Sequence, residues 1–297
     1  MQRGHKGASC VVPRPTVAVK SANPYNMSEM KDKDTIVFVH GAFATPLCWR
    51  FFAPLLADRG YNTLTPAWPC KGRPPDEQVA HPDPRLARVG IDEIVAHYAA
   101  IIRAQPKPPV LIGHSFGGLI VQKLLAQGLG AAGIAISSVP PRGVSPVSFS
   151  LKPLKRVWQI VVAPSRWQPI LSPPPPDGAE TALRKAQGIE MHLVPESQRI
   201  FRQLFGPAGA VDFLKHDRPP LLLVACGKDP CVAPATIRRN HERYRASGAR
   251  TDFVLFPELT HLSIAEPGCE ELAAYSAAWA DDRLAPARLV PWATMTA

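Results

Sequence analysis

The stretch Pro109-Val110-Leu111-Ile112-Gly113-His114-Ser115-Phe116-Gly117-Gly118 sets one serine apart from the others. Gly113 and Gly117 bracket Ser115 in the spacing G-x-S-x-G. The apolar run before it reads as a strand, and Gly117-Gly118-Leu119-Ile120-Val121 after it opens a helix. A strand–turn–helix junction of this kind holds a serine on a sharp turn, with its hydroxyl projecting from the sheet edge and a helix N-terminus beneath a developing oxyanion. The flanking glycines remove side chains that such a turn cannot accommodate. The chemistry is acyl transfer, in which a hydroxyl needs a base to take its proton. It also needs an acid to hold that base in the right tautomer, and N–H donors for the negative charge.

Four histidines follow Ser115, and in sites built on such an elbow the order is serine, acid, histidine. His192 falls in a long segment without strand pattern, and His216 precedes the next apolar strand. His241 sits among Arg238, Arg239, Glu242 and Arg243 on a charged helix. His261 alone follows an apolar strand, Asp252-Phe253-Val254-Leu255-Phe256, and is expected to be the general base. The strand Leu221–Ala225 runs through Cys226-Gly227-Lys228 into Asp229-Pro230, which makes Asp229 the expected orienting acid. The end of the preceding strand offers Ser137 and Ser138, neither of which can serve.

The elements that must position these residues are short apolar runs alternating with amphipathic segments. Strands are expected at Thr35–His40, Thr63–Pro66, Val110–His114, Gly133–Ser138, Leu221–Ala225 and Asp252–Phe256, several of them apolar on both faces, as buried parallel strands are. Helices are expected around 48–58, 91–104, 116–128, 234–246 and 268–280, with Gly60 and Gly128 or Gly130 as C-terminal caps. This alternation predicts an α/β fold, a mostly parallel sheet with helices on both faces. One segment breaks the rhythm: about eighty residues separate Ser138 from Leu221, too many for a plain loop in a compact domain. They include Trp158, Trp167 and Pro173–Pro176 and are expected to form a cap. The organisation is then a flexible tail over 1–30, a core over 31–139 and 219–297, and a cap or lid inserted at 140–218.

Val37-Phe38-Val39-His40-Gly41-Ala42-Phe43 is a strand running straight into His-Gly. Together with Gly113–Gly118, Gly227-Lys228-Asp229-Pro230-Cys231-Val232-Ala233-Pro234 and Thr260-His261-Leu262, it resembles the α/β-hydrolase superfamily over about residues 35–283. The chain is most similar to small, esterase-like bacterial serine hydrolases with a lid, which begin almost at the His-Gly strand. The resemblance implies a triad of Ser115, His261 and Asp229, with no cofactor and no metal. It also implies an oxyanion hole from the backbone N–H groups of Ala42 and Phe116, with Phe43 a lesser candidate. The His40 side chain is expected to brace the loop. Thr260 departs from the glycine that commonly precedes the histidine. A serine nucleophile argues against the dehalogenases and epoxide hydrolases of the superfamily, which use aspartate.

Composition narrows the remaining classes. The chain has 297 residues, 46% hydrophobic and 20% charged, ordinary values for one soluble domain with an insertion. The net charge of +10 forms no dense basic stripe interleaved with aromatics, so nucleic-acid binding is not expected. Six scattered cysteines without a C-x-x-C pair suggest neither a disulfide framework nor zinc. No apolar run approaches membrane-spanning length, and the first thirty residues lack a leader-like run, so a cytoplasmic enzyme without a membrane partner is expected. The expected substrate is an uncharged ester or lactone with a small to medium apolar acyl part; monomer and homodimer both stay open. Two other readings remain. A lyase of the hydroxynitrile type would need a general acid in the cap, for which Lys152, Lys155 and Lys185 are available. A non-catalytic small-molecule receptor could keep the triad intact.

Overall fold

Residues alternating between two apolar faces build the central sheet. The computed structural model describes residues 34–145 and 192–284. Its strands are β1 (Thr35–Val39), β2 (Asn62–Leu64), β3 (Val110–His114), β4 (Ala132–Ile136), β5 (Leu221–Cys226) and β6 (Thr251–Phe256). They lie in the order β2-β1-β3-β4-β5-β6, and every neighbouring pair is parallel. The helices are α1 (Phe52–Ala57), α2 (Pro75–Ala80), α3 (Ile91–Arg103), α4 (Phe116–Ala126), α5 (Gln198–Gln203), α6 (Pro234–Arg243) and α7 (Cys269–Leu284).

The strand period of two sorts the core into two layers. Val37, Val39, Leu111, Ala135, Leu221, Leu223 and Ala225 face α3, α4 and α6, where Ile94, Tyr98, Leu119, Leu124 and Ile237 are buried. Ile36, Phe38, Ile112, Ile134, Leu222 and Val224 face the other way, against Phe52 and Leu56 of α1 and Leu272, Ala273 and Ala277 of α7. β3, β4 and β5 are buried along their whole length, whereas the edge strands β2 and β6 are largely half-exposed. Truncating Ile112 or Leu223, each essentially without exposure, to alanine would cost about 2–5 kcal/mol.

The six expected strands appear within two residues of their expected ends. β4 stops at Ile136 because Ser137 turns to φ 45°. The expected helix at 48–58 divides into a 3-10 turn, Pro46–Trp49, and α1. The turn sets Trp49 and Phe52, three residues apart, both against Phe38, with ring centroids 4.7 and 6.4 Å away. α3 begins where the Glu93 carboxylate accepts the Gly90 N–H at 3.1 Å, and Gln203 Oε1 accepts the Ile91 N–H at 2.7 Å. Gly128, at φ 74°, follows α4 as the expected cap.

The proposed tail over 1–30 and most of the proposed cap, including Trp158, Trp167, Pro173–Pro176 and the three lysines, lie outside the described residues. Within the described residues that precede β5, Ile200 and Phe201 of α5 belong to the same apolar layer as α3 and α4. Among the described residues no helix is long and apolar enough to cross a membrane.

Candidate active site

Parallel strands bring their carboxyl ends to one edge of the sheet, where ligand sites of open α/β sheets form. β1 runs into His40, β3 into Ser115, β5 leads to Asp229 and β6 to His261. Residues far apart in the chain therefore meet there.

Ser115 occupies φ 55°, ψ −119°, a conformation that costs a non-glycine residue on the order of 1–3 kcal/mol and persists only under external constraint. The constraint is visible: the Ser115 N–H donates to Ile136 O at 2.9 Å, and its carbonyl accepts from Gly118 N and Val139 N, both at 3.0 Å. Glycine is required on both sides. A Cβ on Gly113 would lie 2.3 Å from Gly117 O, and one on Gly117 would lie 2.0 Å from Val39 O.

The structure brings Ser115, His261 and Asp229 together. His261 Nε2 lies 3.0 Å from Ser115 Oγ, and His261 Nδ1 lies 2.8 Å from Asp229 Oδ2. The carboxylate accepts from Nδ1–H, which leaves Nε2 with its lone pair towards the serine hydroxyl. The Asp229 side chain has no exposure, and its other oxygen, Oδ1, accepts the N–H groups of Cys231 at 2.7 Å and Val232 at 2.8 Å. Burial pushes the Asp229 pKa up, but the adjacent His261 and these hydrogen bonds outweigh it and hold the carboxyl below its ordinary value. Asp229 is thus an anion aimed at an imidazole.

Two sets of hydrogen bonds support the histidine loop. His114 Nε2–H donates to the His261 carbonyl at 2.8 Å. Thr260 donates from both N (2.6 Å) and Oγ1 (2.7 Å) to the buried Glu266 carboxylate, and its Oγ1 accepts the Leu262 N–H at 3.1 Å. Threonine in the usual glycine position therefore ties the loop down through its hydroxyl.

The oxyanion candidates separate by their partners. Among the described residues neither the Ala42 nor the Phe116 N–H has an acceptor, and Phe116 is the first residue of α4. The Phe43 N–H is engaged by Glu196 Oε2 at 2.9 Å, so this lesser candidate is removed as a donor to substrate. His40 behaves as a brace. Its Nδ1–H donates to Gly41 O at 2.9 Å, its Nε2 accepts the Trp68 N–H at 3.1 Å, and its ring stacks on Trp68 at 4.8 Å. Burial, aided by the Lys71 charge, lowers its pKa to about 3, so it stays neutral. Because a peptide is planar, holding Gly41 C=O on one side turns the Ala42 N–H to the other.

One group of metal-ligating type appears among the described residues: Asp229, Cys231 and His261, whose ligand atoms lie within 4.8 Å of one another. Two of the three are the hydrogen-bonded acid and histidine, so an ion there would compete with that bond.

A six-stranded parallel sheet with helices on both faces, and a serine elbow at its carboxyl edge, defines an α/β-hydrolase fold. The family model described as "Alpha/beta hydrolase family" matches residues 36–275, and the chain belongs to that family; it is an enzyme of the hydrolase class. Among solved structures, one reported for the metagenome-derived lipolytic enzymes LipS and LipT is 20% identical, with a TM-score of 0.60 over 84% of this chain and 93% of that one. A monoacylglycerol lipase from Paleococcus ferrophilus is 18% identical, with a TM-score of 0.58 over 84% and 94%. A methylesterase from Arabidopsis is 18% identical, with a TM-score of 0.54 over 84% and 100%. These likenesses are of fold. No curated protein matches the sequence.

Proposed function

We propose that the protein is a serine hydrolase that cleaves uncharged carboxylic esters or lactones through an acyl-enzyme. The observation that carries this reading is the hydrogen-bonded chain Asp229–His261–Ser115, at 2.8 and 3.0 Å, on a strained elbow. Ser115 Oγ attacks the carbonyl carbon while His261 Nε2 takes its proton, and Asp229 stabilises the imidazolium. The carbonyl oxygen, now an oxyanion, accepts from the Ala42 and Phe116 N–H groups. His261 returns the proton to the departing alkoxide, and a water activated by the same nitrogen releases the acid and restores the serine.

The acyl group would meet apolar surroundings. Phe43 and Phe116 both pack on Phe201 beside the donors, with ring centroids 5.6 and 6.0 Å away. In this reading residues 140–218 are a cap that completes the pocket, 31–139 and 219–297 are the catalytic core, and 1–30 are dispensable. The enzyme is taken to act in the cytoplasm on small molecules, without nucleic acid or membrane. Lipolytic and methylesterase activities of the proteins of similar fold support esters over amides as the first substrates to try.

The test is a fluorophosphonate probe, with the modified peptide located by mass spectrometry, followed by a panel of p-nitrophenyl esters. Ser115 should carry the phosphonyl group and short to medium neutral acyl chains should turn over. A labelled serine with no ester turnover would favour the lyase; an unreactive serine would favour the receptor.

A further inference from the structure

Glu196 lies on the stretch 192–197, ahead of α5, and it holds the oxyanion loop. Its Oε2 accepts the Phe43 N–H at 2.9 Å and pairs with Lys71 Nζ at 2.5 Å, while Oε1 accepts the Ser197 N–H at 2.8 Å. Both charged side chains are entirely buried. Two residues earlier, the Val194 N–H donates to Phe43 O at 2.9 Å. Both backbone polar groups of Phe43 are therefore held from this one stretch, at φ 59°, where a residue with a side chain needs such restraint. Lys71 is anchored in turn, since its N–H donates to Trp68 O at 3.0 Å and its ammonium lies 5.4 Å from the Trp68 ring centre, the tryptophan on which His40 stacks.

This arrangement bears on Ala42 from its far side. His40 holds the peptide between Gly41 and Ala42, and Glu196 holds the next one, between Ala42 and Phe43. With both planes restrained, the Ala42 N–H has one direction. A buried ion pair is a poor way to gain stability alone, because apolar side chains of similar volume commonly do as well or better. What the pair supplies here is an oriented acceptor.

We propose that Lys71 and Glu196 are positioning residues for the oxyanion hole. Lys71 fixes the Glu196 carboxylate, the carboxylate fixes Phe43, and the fixed loop aims the Ala42 N–H. The inference rests on the serine-hydrolase reading and adds to it that the returning arm of the insertion is part of the catalytic apparatus.

Two full-length double variants test it. Lys71→Met/Glu196→Met removes both charges and the acceptor with apolar side chains of similar volume, which favours folding. Lys71→Met/Glu196→Gln also removes both charges but keeps an amide oxygen for the Phe43 N–H. The first should slow kcat and the fluorophosphonate reaction by about 10²-fold, the scale of losing one oxyanion donor, with KM within about threefold of wild type. The second should stay within about tenfold of wild type on both measures. Equal kcat in the two folded variants overturns the positioning role, as does a loss in the first that only tracks its folded fraction by circular dichroism. A wild-type enzyme that the probe does not label overturns the serine-hydrolase reading itself, and the inference with it. A labelled wild type beside two equal variants overturns the inference alone.

Discussion

His114, the residue before the elbow serine, donates its Nε2–H to the backbone carbonyl of His261 at 2.8 Å, so the strand that leads into Ser115 also holds the loop of His261. The rings lie 4.8 Å apart. Burial, with the nearby His261 charge, lowers the His114 pKa to about 3 from an ordinary 6.5, and His40 is lowered to about the same value by burial and Lys71. The unfolded chain takes up both protons below pH 6.5, whereas the folded protein refuses them until about pH 3. Stability is therefore lost as pH falls through that window, at about 1 kcal/mol per unit for each histidine. The thermal midpoint should drop steeply from pH 6.5 to 5, and His114→Asn should flatten the slope. A midpoint constant across that range would contradict the assignment.

Ser115→Ala should leave less than about a thousandth of the wild-type rate, the residue of catalysis that binding and oxyanion donors provide alone. Ser115→Gly should be equally inactive yet more heat-stable than Ser115→Ala. At φ 55° and ψ −119° glycine avoids the side-chain penalty that alanine keeps. Differential scanning calorimetry of the two variants decides the second point, and a lower midpoint for the glycine variant would refute it.

Asp229→Asn should lower kcat by on the order of 10⁴, because an amide favours the wrong His261 tautomer. The Asx turn onto the Cys231 and Val232 N–H groups survives in the variant, since the amide oxygen can still accept. Its far-ultraviolet circular dichroism should match wild type. A drop of under about tenfold would move the acid role to another carboxylate.

Thr260→Val should destabilise by about 1–3 kcal/mol, because the buried Glu266 carboxylate loses a charge-assisted partner. It should also lower kcat several-fold by loosening the loop before His261. Denaturant midpoints at pH 7.5 and steady-state kinetics of the same sample test both parts. Unchanged kinetics with lowered stability would confine Thr260 to folding.

What could be read ahead of the structure follows from geometry. Parallel strands buried on both faces leave unbroken apolar runs such as Leu221–Cys226, and the candidate catalytic side chains fall just past their ends. Ser115, Asp229 and His261 all occupy such positions. Lys71, Glu196 and Glu266 do not: each is a charged residue in a loop stretch, which ordinarily signals solvent exposure. The Lys71–Glu196 partnership spans 125 residues, and nothing local marks either side chain as buried. The same blind spot left Phe43 among the donor candidates, because the acceptor that occupies its N–H, Glu196, lies 153 residues further along the chain. The 3-10 turn at Pro46–Trp49 was missed for a different reason: the demand that Trp49 and Phe52 share Phe38 is tertiary.

Substrate charge provides the last prediction. The aromatic side chains on and around the loop that follows β1 are Phe43, Trp68, Phe116 and Phe201, all buried. The cation among them, Lys71, is neutralised by Glu196 at 2.5 Å and has no exposure through which to meet a substrate carboxylate. An anionic acyl group would thus lose its hydration here without gaining a partner among these groups, a costly exchange. The net charge of +10 acts differently, by raising encounter rates with anions in a way that salt suppresses. The two effects separate when kcat/KM is measured for a butyrate ester and a matched hemisuccinate ester at about 20 and 500 mM salt, where screening lengths differ several-fold. The neutral ester should be favoured at both concentrations by at least about tenfold, with little salt dependence. Faster, salt-sensitive turnover of the hemisuccinate would mean that a cation reaches the acyl group, and the residues to examine would then be the arginines and lysines of 146–191.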